Sequence, residues 1–436
     1  MTAVTHHYVW KLAMPMIMAN ISIPILGMVD TAVVGHLDSA HYLGAVAIGT
    51  LIFSFLFWGF GFLRMATTGL TAQAFGNQDS SQSQQILLQA IYFALLIALF
   101  ILLFQQAISQ IAFHYIDSSE LVKTSARQYF DIRIWSTPAI LVNYVIWGWL
   151  IGNEATKSTL YLVLTVNITN IILDILFVNF LGMDVNGVAL ASVIAEYSGL
   201  LLGLFMLHKR GIELISFKST LDSFNKKQPY EVLTLHGNIF LRTLCLIFSF
   251  AFFTIQSAKY GDNVLAANSV LLNFITFMAF VLDGFANATE VLSGKAIGRK
   301  NHQQLYRVVF ITGILSLSMA IVFSLSYQLF GRHIITLLTS IPDVINIANQ
   351  HLTWLAIAPL IGFWSYLFDG LFIGATRSRE MRNTMLFSTF ICYLPAWYFL
   401  QDMGNDGLWI ALLIFLAARG ISQACYLPLI FKFKSV

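Results

Sequence analysis

Residues 43–76, LGAVAIGTLIFSFLFWGFGFLRMATTGLTAQAFG, align without a gap with residues 265–298, LAANSVLLNFITFMAFVLDGFANATEVLSGKAIG. The alignment pairs residues 222 positions apart, and its identical pairs include Thr67 with Thr289 and Gly76 with Gly298. The same spacing relates Gly148 to Gly370 and Gly152 to Gly374. We therefore predict that the chain is a duplication whose two halves share one helical plan.

The composition predicts that most of this chain lies in lipid. Of its 436 residues, 58% are apolar and only 10% are charged, a balance that a water-soluble globular protein does not need. Runs of about 20 or more apolar residues recur along the whole length, each long enough to cross roughly 30 Å of hydrocarbon as a helix. The chain is thus predicted to be an all-α integral membrane protein.

Apolar runs and polar breaks together predict twelve transmembrane helices. They cover about residues 9–35, 43–75, 85–113, 121–151, 157–181, 186–208, 231–259, 262–296, 304–330, 342–373, 382–401 and 405–431. The longest polar insertion, residues 209–230, is predicted to be a cytoplasmic linker. It separates an N-lobe, residues 1–208, from a C-lobe, residues 231–436. Two pseudo-symmetric six-helix lobes are expected around a central cleft, related by an axis along the membrane normal.

The positive residues predict how the helices are oriented. With both termini in the cytoplasm, the cytoplasmic segments contain 16 Lys and Arg residues, Lys295 among them. The opposite segments contain five, namely Lys123, Arg127, Arg133, Lys259 and Arg332. The positive-inside rule therefore places both termini in the cytoplasm. The formal net charge of +3 is small, so no nucleic-acid partner is predicted.

Acids inside the predicted helices are candidates for function, because an Asp there costs roughly 2.5–3.5 kcal/mol on insertion scales. Asp30 is the acid of the first helix, and Asn20 lies near the same helix face. The functional interpretation of Asp30 is a protonatable or ion-binding group. The simpler alternative is an acid near the outer end of the helix that meets water.

The fifth and sixth predicted helices carry further polar residues. Asn167, Asn170 and Asp174 follow the spacing i, i+3, i+7, which places them on one face of a helix. Ser192 and Glu196 are one turn apart in the sixth helix. These oxygens could bind a proton, a sodium ion or an organic cation, and composition does not choose among the three.

The second half contains acids of its own within the predicted helices. Asp283 and Glu290 are seven residues apart in the eighth helix, and Asp369 lies in the tenth. Arg242, in the seventh helix, could pair with one of these acids, because charges within a membrane seek partners. A structural ion pair is at least as well supported there as a role in transport, so the first half is the preferred site.

Two prolines interrupt the first predicted helix. Pro15 and Pro24 each remove a backbone hydrogen bond, which can kink the helix or allow it to bend. We predict that one of them is a hinge whose bend follows the protonation of Asp30. A static kink is the alternative.

Residues 12–39, LAMPMIMANISIPILGMVDTAVVGHLDS, and residues 62–76, FLRMATTGLTAQAFG, resemble the multidrug and toxic compound extrusion family. The resemblance is to its DNA-damage-inducible protein F branch and covers essentially the whole chain. It implies a secondary transporter that exports cationic or amphipathic compounds by alternating access, in exchange for protons or sodium ions. The matching site residues are Asp30, Asn170, Asp174 and Ser192, with Pro15 as the bending proline.

A departure from the other bacterial branch of the family narrows this expectation. That branch has an ion site in the second half, with a glutamate in the seventh helix and an aspartate in the tenth. This chain resembles it at Asp369 but has no acid between Leu233 and Ala258. The departure favours coupling through Asp30 and Asp174.

The resemblance thus implies a proton-coupled multidrug exporter of the bacterial inner membrane, monomeric and without a cofactor. Its expected partners are drug-like small molecules, protons and membrane lipids. Sodium coupling at Asp30, Asn170, Asp174 and Ser192 stays open, and no other metal site is predicted. A flippase for lipid-linked precursors is the nearest rival. A membrane enzyme, with His236 or His351 as its reactive group, is the rival of a different class.

Overall fold

The computed structural model describes residues 4–35, 40–114, 116, 118–212 and 228–432. The helices of the first half are α1 His6–Gly35, α2 Ala40–Gly59, α3 Phe62–Gly76, α4 Ser80–Leu103, α5 Gln105–His114, α6 Glu120–Arg133, α7 Thr137–Gly152, α8 Thr156–Asp174 and α9 Asp184–Lys209. Those of the second half are α10 Gln228–Lys259, α11 Asp262–Gly298, α12 His302–Leu338, α13 Pro342–Gln350, α14 Leu352–Gly374, α15 Ser378–Leu386, α16 Leu394–Leu400 and α17 Asn405–Phe431. The described residues contain no β-strand.

Eleven helical segments within the described ranges are long and apolar enough to cross a membrane. They coincide with eleven of the twelve predicted spans. The remaining span, predicted at 382–401, lies in a helical stretch that runs from Ser378 to Leu400 through a π-helical segment, Phe387–Tyr393. This stretch begins with the charged run SREMR. The prediction of an all-α, multi-pass membrane fold is confirmed.

Contacts group the described residues into two compact units. Unit A comprises Met18–Thr71 and Asp79–Glu231, and unit B comprises Met1–Ile17, Ala72–Gln78 and Val232–Val436. The first part of α1 therefore belongs with the helices of the second half. The lobe boundaries at 208 and 231 stay a prediction, and most of the predicted linker lies outside the described residues.

The duplication is visible in the backbone at the ends of the helices. Residues with a left-handed φ recur 222 positions apart: Gln78 at 60° with Lys300 at 53°, Glu154 at 61° with Thr376 at 54°, and Gly182 at 60° with Gly404 at 62°. The residues after Gln78 and Lys300, namely Asp79 and Asn301, also match, because each caps the helix that follows it. Asp79 accepts a hydrogen bond from the backbone at the start of α4, and Asn301 does so at the start of α12. The two halves thus repeat their turns as well as their helices.

Glycines provide two reciprocal contacts in unit B. A Cβ on Gly76 would overlap the backbone carbonyl of Lys295, and a Cβ on Gly298 would overlap that of Gln73. Because Gln73 and Lys295 are also 222 positions apart, each contact is a copy of the other. The last turns of α3 and α11 therefore approach so closely that neither position has room for a side chain.

A second set of glycines repeats inside each unit. Gly148 on α7 faces the backbone carbonyl of Arg64 in unit A, and Gly370 on α14 faces that of Ala286 in unit B. Both glycines and both carbonyls are again 222 positions apart. The prediction of two halves with one helical plan is therefore confirmed at the level of helix packing.

Replacing Gly298 with valine is expected to destabilise the protein, because the added atoms would collide with the carbonyl of Gln73 in the neighbouring helix. Overpacking of this kind typically costs about 1–3 kcal/mol, and a backbone atom cannot move aside as a side chain can. Thermal unfolding in detergent measures the effect. Gly237→Ala is the control, since no heavy atom lies within 4 Å of a Cβ at that helical position. Equal unfolding temperatures for both variants would contradict the packing role.

Candidate functional site

Two carboxyl groups meet in unit A. Asp30 lies on α1 and Asp174 is the last residue of α8, and one carboxyl oxygen of each lies 3.3 Å from the side-chain amide of Asn170. Asp174 is buried and Asp30 is half-buried. An ionised carboxylate can only accept hydrogen bonds, so a bond between two carboxyl groups requires a proton on one of them. The two neighbouring carboxyl groups are therefore a candidate site for one shared proton.

Asn170 bridges this pair from the preceding turn of α8. Its amide nitrogen donates to Asp30 Oδ1 and to Asp174 Oδ2, both at 3.3 Å. The hydrogen-bond network assigns this orientation, because the reverse one would turn the carbonyl oxygen of Asn170 toward the carboxyl oxygens. The amide thus holds the two carboxyl groups at one point.

Ser192 and Arg133 extend the network to α9 and α6. The carbonyl oxygen of Asn170 accepts from Ser192 Oγ at 3.2 Å, and Ser192 Oγ accepts from Arg133 Nη1 at 2.5 Å. The same Nη1 donates to Tyr129 Oη at 2.7 Å. Because a hydroxyl can accept one hydrogen bond while it donates another, a continuous chain joins the guanidinium to the carboxyl pair.

A second contact holds α1 against α8. Asn167 Nδ2 donates to Ser22 Oγ at 2.8 Å. Ser22 precedes Asp30 by eight residues and Asn167 precedes Asp174 by seven, which corresponds to about 11–12 Å along each helix. The polar stripe predicted in the fifth span therefore faces α1 over two turns, with a contact at each end.

Departures from α-helical geometry follow two of these residues. The π-helical segment Ile175–Phe180 begins directly after Asp174, and a 3₁₀ turn, Ile134–Ser136, begins directly after Arg133. Short segments of this kind within long helices often mark functional positions. Here they bracket the two ends of the hydrogen-bonded chain.

Glu196 lies one turn after Ser192 and is half-buried. Asn143 Nδ2 donates to its Oε2 and to its backbone carbonyl, each at 3.0 Å. The carboxylate acts on Arg133 through space. Glu196 is therefore adjacent to the network but outside its chain of hydrogen bonds.

The other predicted residues of α1 lie farther from Asp30. Asn20 is half-buried and precedes Asp30 by ten residues, about 15 Å along the helix. Pro15 is buried, two residues before unit B ends at Ile17, and Pro24 is half-buried. The predicted hinge prolines thus share the helix of Asp30 without contributing to its network.

In unit B, Asp369 is surrounded by donors. Arg242 forms an ion pair with its Oδ2, Arg419 Nη2 donates to the same oxygen at 2.8 Å, and Gln423 Nε2 donates to Oδ1 at 2.6 Å. All four side chains are buried. The pairing expected for Arg242 is therefore with Asp369, and the carboxylate is neutralised from within the protein.

Asp283 and Glu290 lie on α11. Asp283 is half-buried and acts electrostatically on Tyr366, which also interacts with Asp369. Glu290 is buried and lies seven residues further on, about 10 Å along the helix. The structure thus brings Asp283 toward the Asp369 cluster and leaves Glu290 on a different turn.

Sequence reasoning missed Arg133 as a site residue. The count of positive residues placed Arg133 on the outer side and Lys295 on the cytoplasmic side, but both belong to packed regions, and the side chain of Arg133 is half-buried in the network. Lys295 is 7% exposed and lies over the rings of Tyr8 and Phe75. Without Lys295 and Arg133, the predicted cytoplasmic side has 15 Lys and Arg residues and the opposite side has 4. The predicted orientation is therefore unchanged. The sequence feature that could have identified Arg133 is its position twelve residues, or about 18 Å, from the start of the predicted span 121–151.

The histidines of the enzyme alternative occupy ordinary structural positions. Nδ1 of His351 lies 2.8 Å from the carbonyl of Ile347, and its Nε2 lies 3.0 Å from Asn405 Nδ2. His236 is buried in α10. Within the part of the chain that the structure describes, no group of three or more His, Cys, Asp or Glu side chains could hold a metal ion.

Two helical halves in a membrane protein, with ionisable residues buried inside each half, are typical of membrane transporters. The MatE family profile matches residues 15–176 and 239–399, once in each half. DNA damage-inducible protein F of Escherichia coli (strain K12) is 44% identical over 424 residues, which cover 95% of this chain and 90% of that protein. The chain belongs to the MatE family of membrane transporters, and the resemblance expected from the sequence is confirmed.

More distant relatives share the whole length. Multidrug resistance protein NorM of Vibrio cholerae is 26% identical over 94% of this chain and 92% of its own. A solved structure described as the outward-facing conformation of a multidrug resistance MATE family transporter superposes with a TM-score of 0.87. At 18% identity it covers 98% of this chain and 96% of that chain. The fold is therefore common to this chain and that transporter.

Replacing Asp369 with asparagine is expected to destabilise the protein strongly. Two buried guanidinium groups would then face a neutral amide, and breaking a buried ion pair in this way typically costs about 3–5 kcal/mol. Thermal unfolding in detergent tests the prediction. Asp406→Asn is the matched control, because the side chain of Asp406 is 53% exposed. Similar small shifts for the two variants would show that Asp369 does not neutralise the arginines.

Proposed function

We propose that this chain is a multidrug exporter that exchanges protons for cationic or amphipathic organic compounds, with Asp30 and Asp174 as the coupling pair. The observation that carries the proposal is the meeting of their carboxyl groups, from two different helices, at the amide of Asn170, whose nitrogen lies 3.3 Å from an oxygen of each. The names of the relatives, among them multidrug resistance proteins, support drug-like substrates. No cofactor or enzymatic step belongs to the proposal.

The pair offers one site to two competing cations. With one proton, the carboxyl groups bind each other. Without it, both are anionic, repel each other and become available to an organic cation. Proton and substrate therefore exclude one another at this site, and a transporter that binds them alternately couples the inward flow of one to the outward flow of the other.

The contacts of α1 carry the change of protonation into movement. In unit B the first part of α1 is firmly packed, since Trp10 meets Phe285 edge to face at 5.1 Å and Gly284 leaves room for Ile17. Farther along, α1 makes polar contacts to α8, through Ser22 with Asn167 and through Asp30 with Asn170. When the shared proton leaves and these contacts change, we expect α1 to bend beyond its packed part, which ends at Ile17. Pro24 then lies in the moving section.

Two features favour a proton over a sodium ion. Hard cations are held by several oxygen atoms, but Asn170 turns an N–H donor toward both carboxyl groups, and the guanidinium of Arg133 belongs to the same network. In unit B, Arg242 and Arg419 already neutralise Asp369. Sodium binding to oxygens of the first-half network is the alternative that the experiment must test.

The proposal also includes the placement of the protein in the cell. The chain lies in the bacterial inner membrane with both termini in the cytoplasm, as the excess of positive residues on that side supports. Protons then enter the site from outside the cell, and the substrate leaves toward the outside. This arrangement uses the existing proton gradient for export.

Asp30→Asn and Asp174→Asn are each expected to lower proton-driven efflux at least tenfold, because an amide cannot release the proton that substrate must displace. The measurement is the initial rate of dye uptake into everted membrane vesicles under an imposed proton gradient. Asp262→Asn is the control, since Asp262 is an exposed acid in the first turn of α11. Coupling that survives in both site variants would refute the proposed pair.

A sodium gradient at equal pH on both sides is expected to drive no uptake in the same vesicles. The amide donor of Asn170 and the charge of Arg133 both oppose a second cation in the network. Sodium-driven uptake that disappears in Asp30→Asn would keep the site but change the coupling ion. Sodium-driven uptake that persists in both Asp variants would place the coupling site elsewhere.

A further inference from the structure

The guanidinium of Arg133 has donors that the network does not use. An arginine carries five N–H donors, and both hydrogen bonds of Arg133 leave from Nη1, toward Tyr129 and Ser192. Nε is buried and has no partner among the described residues, and none of those residues accepts a hydrogen bond from Nη2. More than half of the donor capacity of this group is therefore uncommitted.

Aromatic packing fixes the group in place. The Cζ atom of Arg133 lies 5.6 Å from the ring centroids of both Phe53 and Tyr129, and these two rings are fully buried. Cation–π contacts hold a guanidinium without removing its charge. Because the side chain of Arg133 is only half-buried, a ligand in the site can still reach it.

The neighbouring acids do not neutralise Arg133 by contact. Asp30, Asp174 and Glu196 act on it through space. The first two accept from the amide of Asn170, and Glu196 accepts from Asn143. No carboxylate oxygen of the described residues lies within 4.0 Å of a nitrogen of Arg133. The positive charge therefore stays available at a fixed distance from the carboxyl pair.

That distance suits a molecule with two opposite charges. Three hydrogen bonds of about 3 Å each and one amide group separate the guanidinium from the carboxyl pair, so the two lie within roughly 11 Å of each other. Because Nε is buried and Nη1 is already bonded, Nη2 is the donor that can reach a ligand, and a carboxylate would receive a charged hydrogen bond from it. The site thus has a cation-binding end and an anion-binding end.

We infer that Arg133 is the anion-binding group of the first-half site and that it selects zwitterionic amphipathic substrates. The cationic group of such a substrate meets Asp30 and Asp174, and its carboxylate meets Arg133. The inference rests on the proposed function, because the carboxyl pair is its cation-binding end. It adds a substrate class that two acids alone would not select.

Rhodamine 110 and its methyl ester, rhodamine 123, test the inference because they differ by a single carboxylate. In Arg133→Gln we expect kcat/KM for proton-driven transport of rhodamine 110 to fall tenfold or more, since a charged hydrogen bond is lost. Transport of rhodamine 123, which has no carboxylate, is expected to stay the same or rise. Arg127→Gln is the matched control, because Arg127 lies on the same helix with its side chain exposed.

Binding to the purified protein makes the result independent of coupling. Fluorescence polarisation gives the Kd of each dye for wild type, Arg133→Gln and Arg133→Lys, and the lysine variant keeps the charge but loses the fork. A loss of affinity for rhodamine 110 alone, largest in the glutamine variant, supports the inference. It does so even if no proton-driven transport is found, since that second result would refute only the proposed function. Parallel losses for both dyes, or no loss for either, would show that Arg133 does not bind the anion.

Discussion

A charge that leaves water must be protonated, paired or placed against a polarisable group, and this constraint organises the interior of the protein. The two halves meet it differently. In unit B, Asp369 is paired with Arg242 and Arg419, which makes a permanent cluster. In unit A, Asp30 and Asp174 meet at the amide of Asn170, and we propose that one shared proton satisfies both. An arrangement that requires a proton is lost when that proton leaves. For this reason we propose that coupling takes place in the first half.

The duplicated frame explains how two chemistries arose on one plan. Glycines such as Gly148 and Gly370 meet equivalent carbonyls in the two halves, so the helix packing is shared. The charged residues of the two interior clusters are not shared. At the same spacing of 222 positions, Asp369 corresponds to Trp147 and Arg133 to Leu355. The two halves therefore share their close helix packing, whereas each interior has its own polar residues.

Much of this arrangement follows from sequence because it depends on spacing along one helix. The stripe that contains Asn170 and Asp174, and the glycines of the repeat, have their observed neighbours because helical periodicity fixes which residues share a face. The roles of Arg133, Arg419 and Gln423 do not follow in this way. Their partners lie on other helices 50 or more residues away, so only the packed fold defines the contacts. Among the predicted helices, the span at 382–401 is the corresponding case, because it contains the π-helical segment Phe387–Tyr393.

The central claim is that one proton is shared by Asp30 and Asp174 and is displaced by substrate. The most direct test measures proton release when a cationic substrate is added to the purified transporter in weakly buffered detergent solution. The account predicts release of about one proton per bound substrate for wild type and none for Asp30→Asn or Asp174→Asn. Substrate binding by the wild type without proton release, or equal release from the variants, would contradict it.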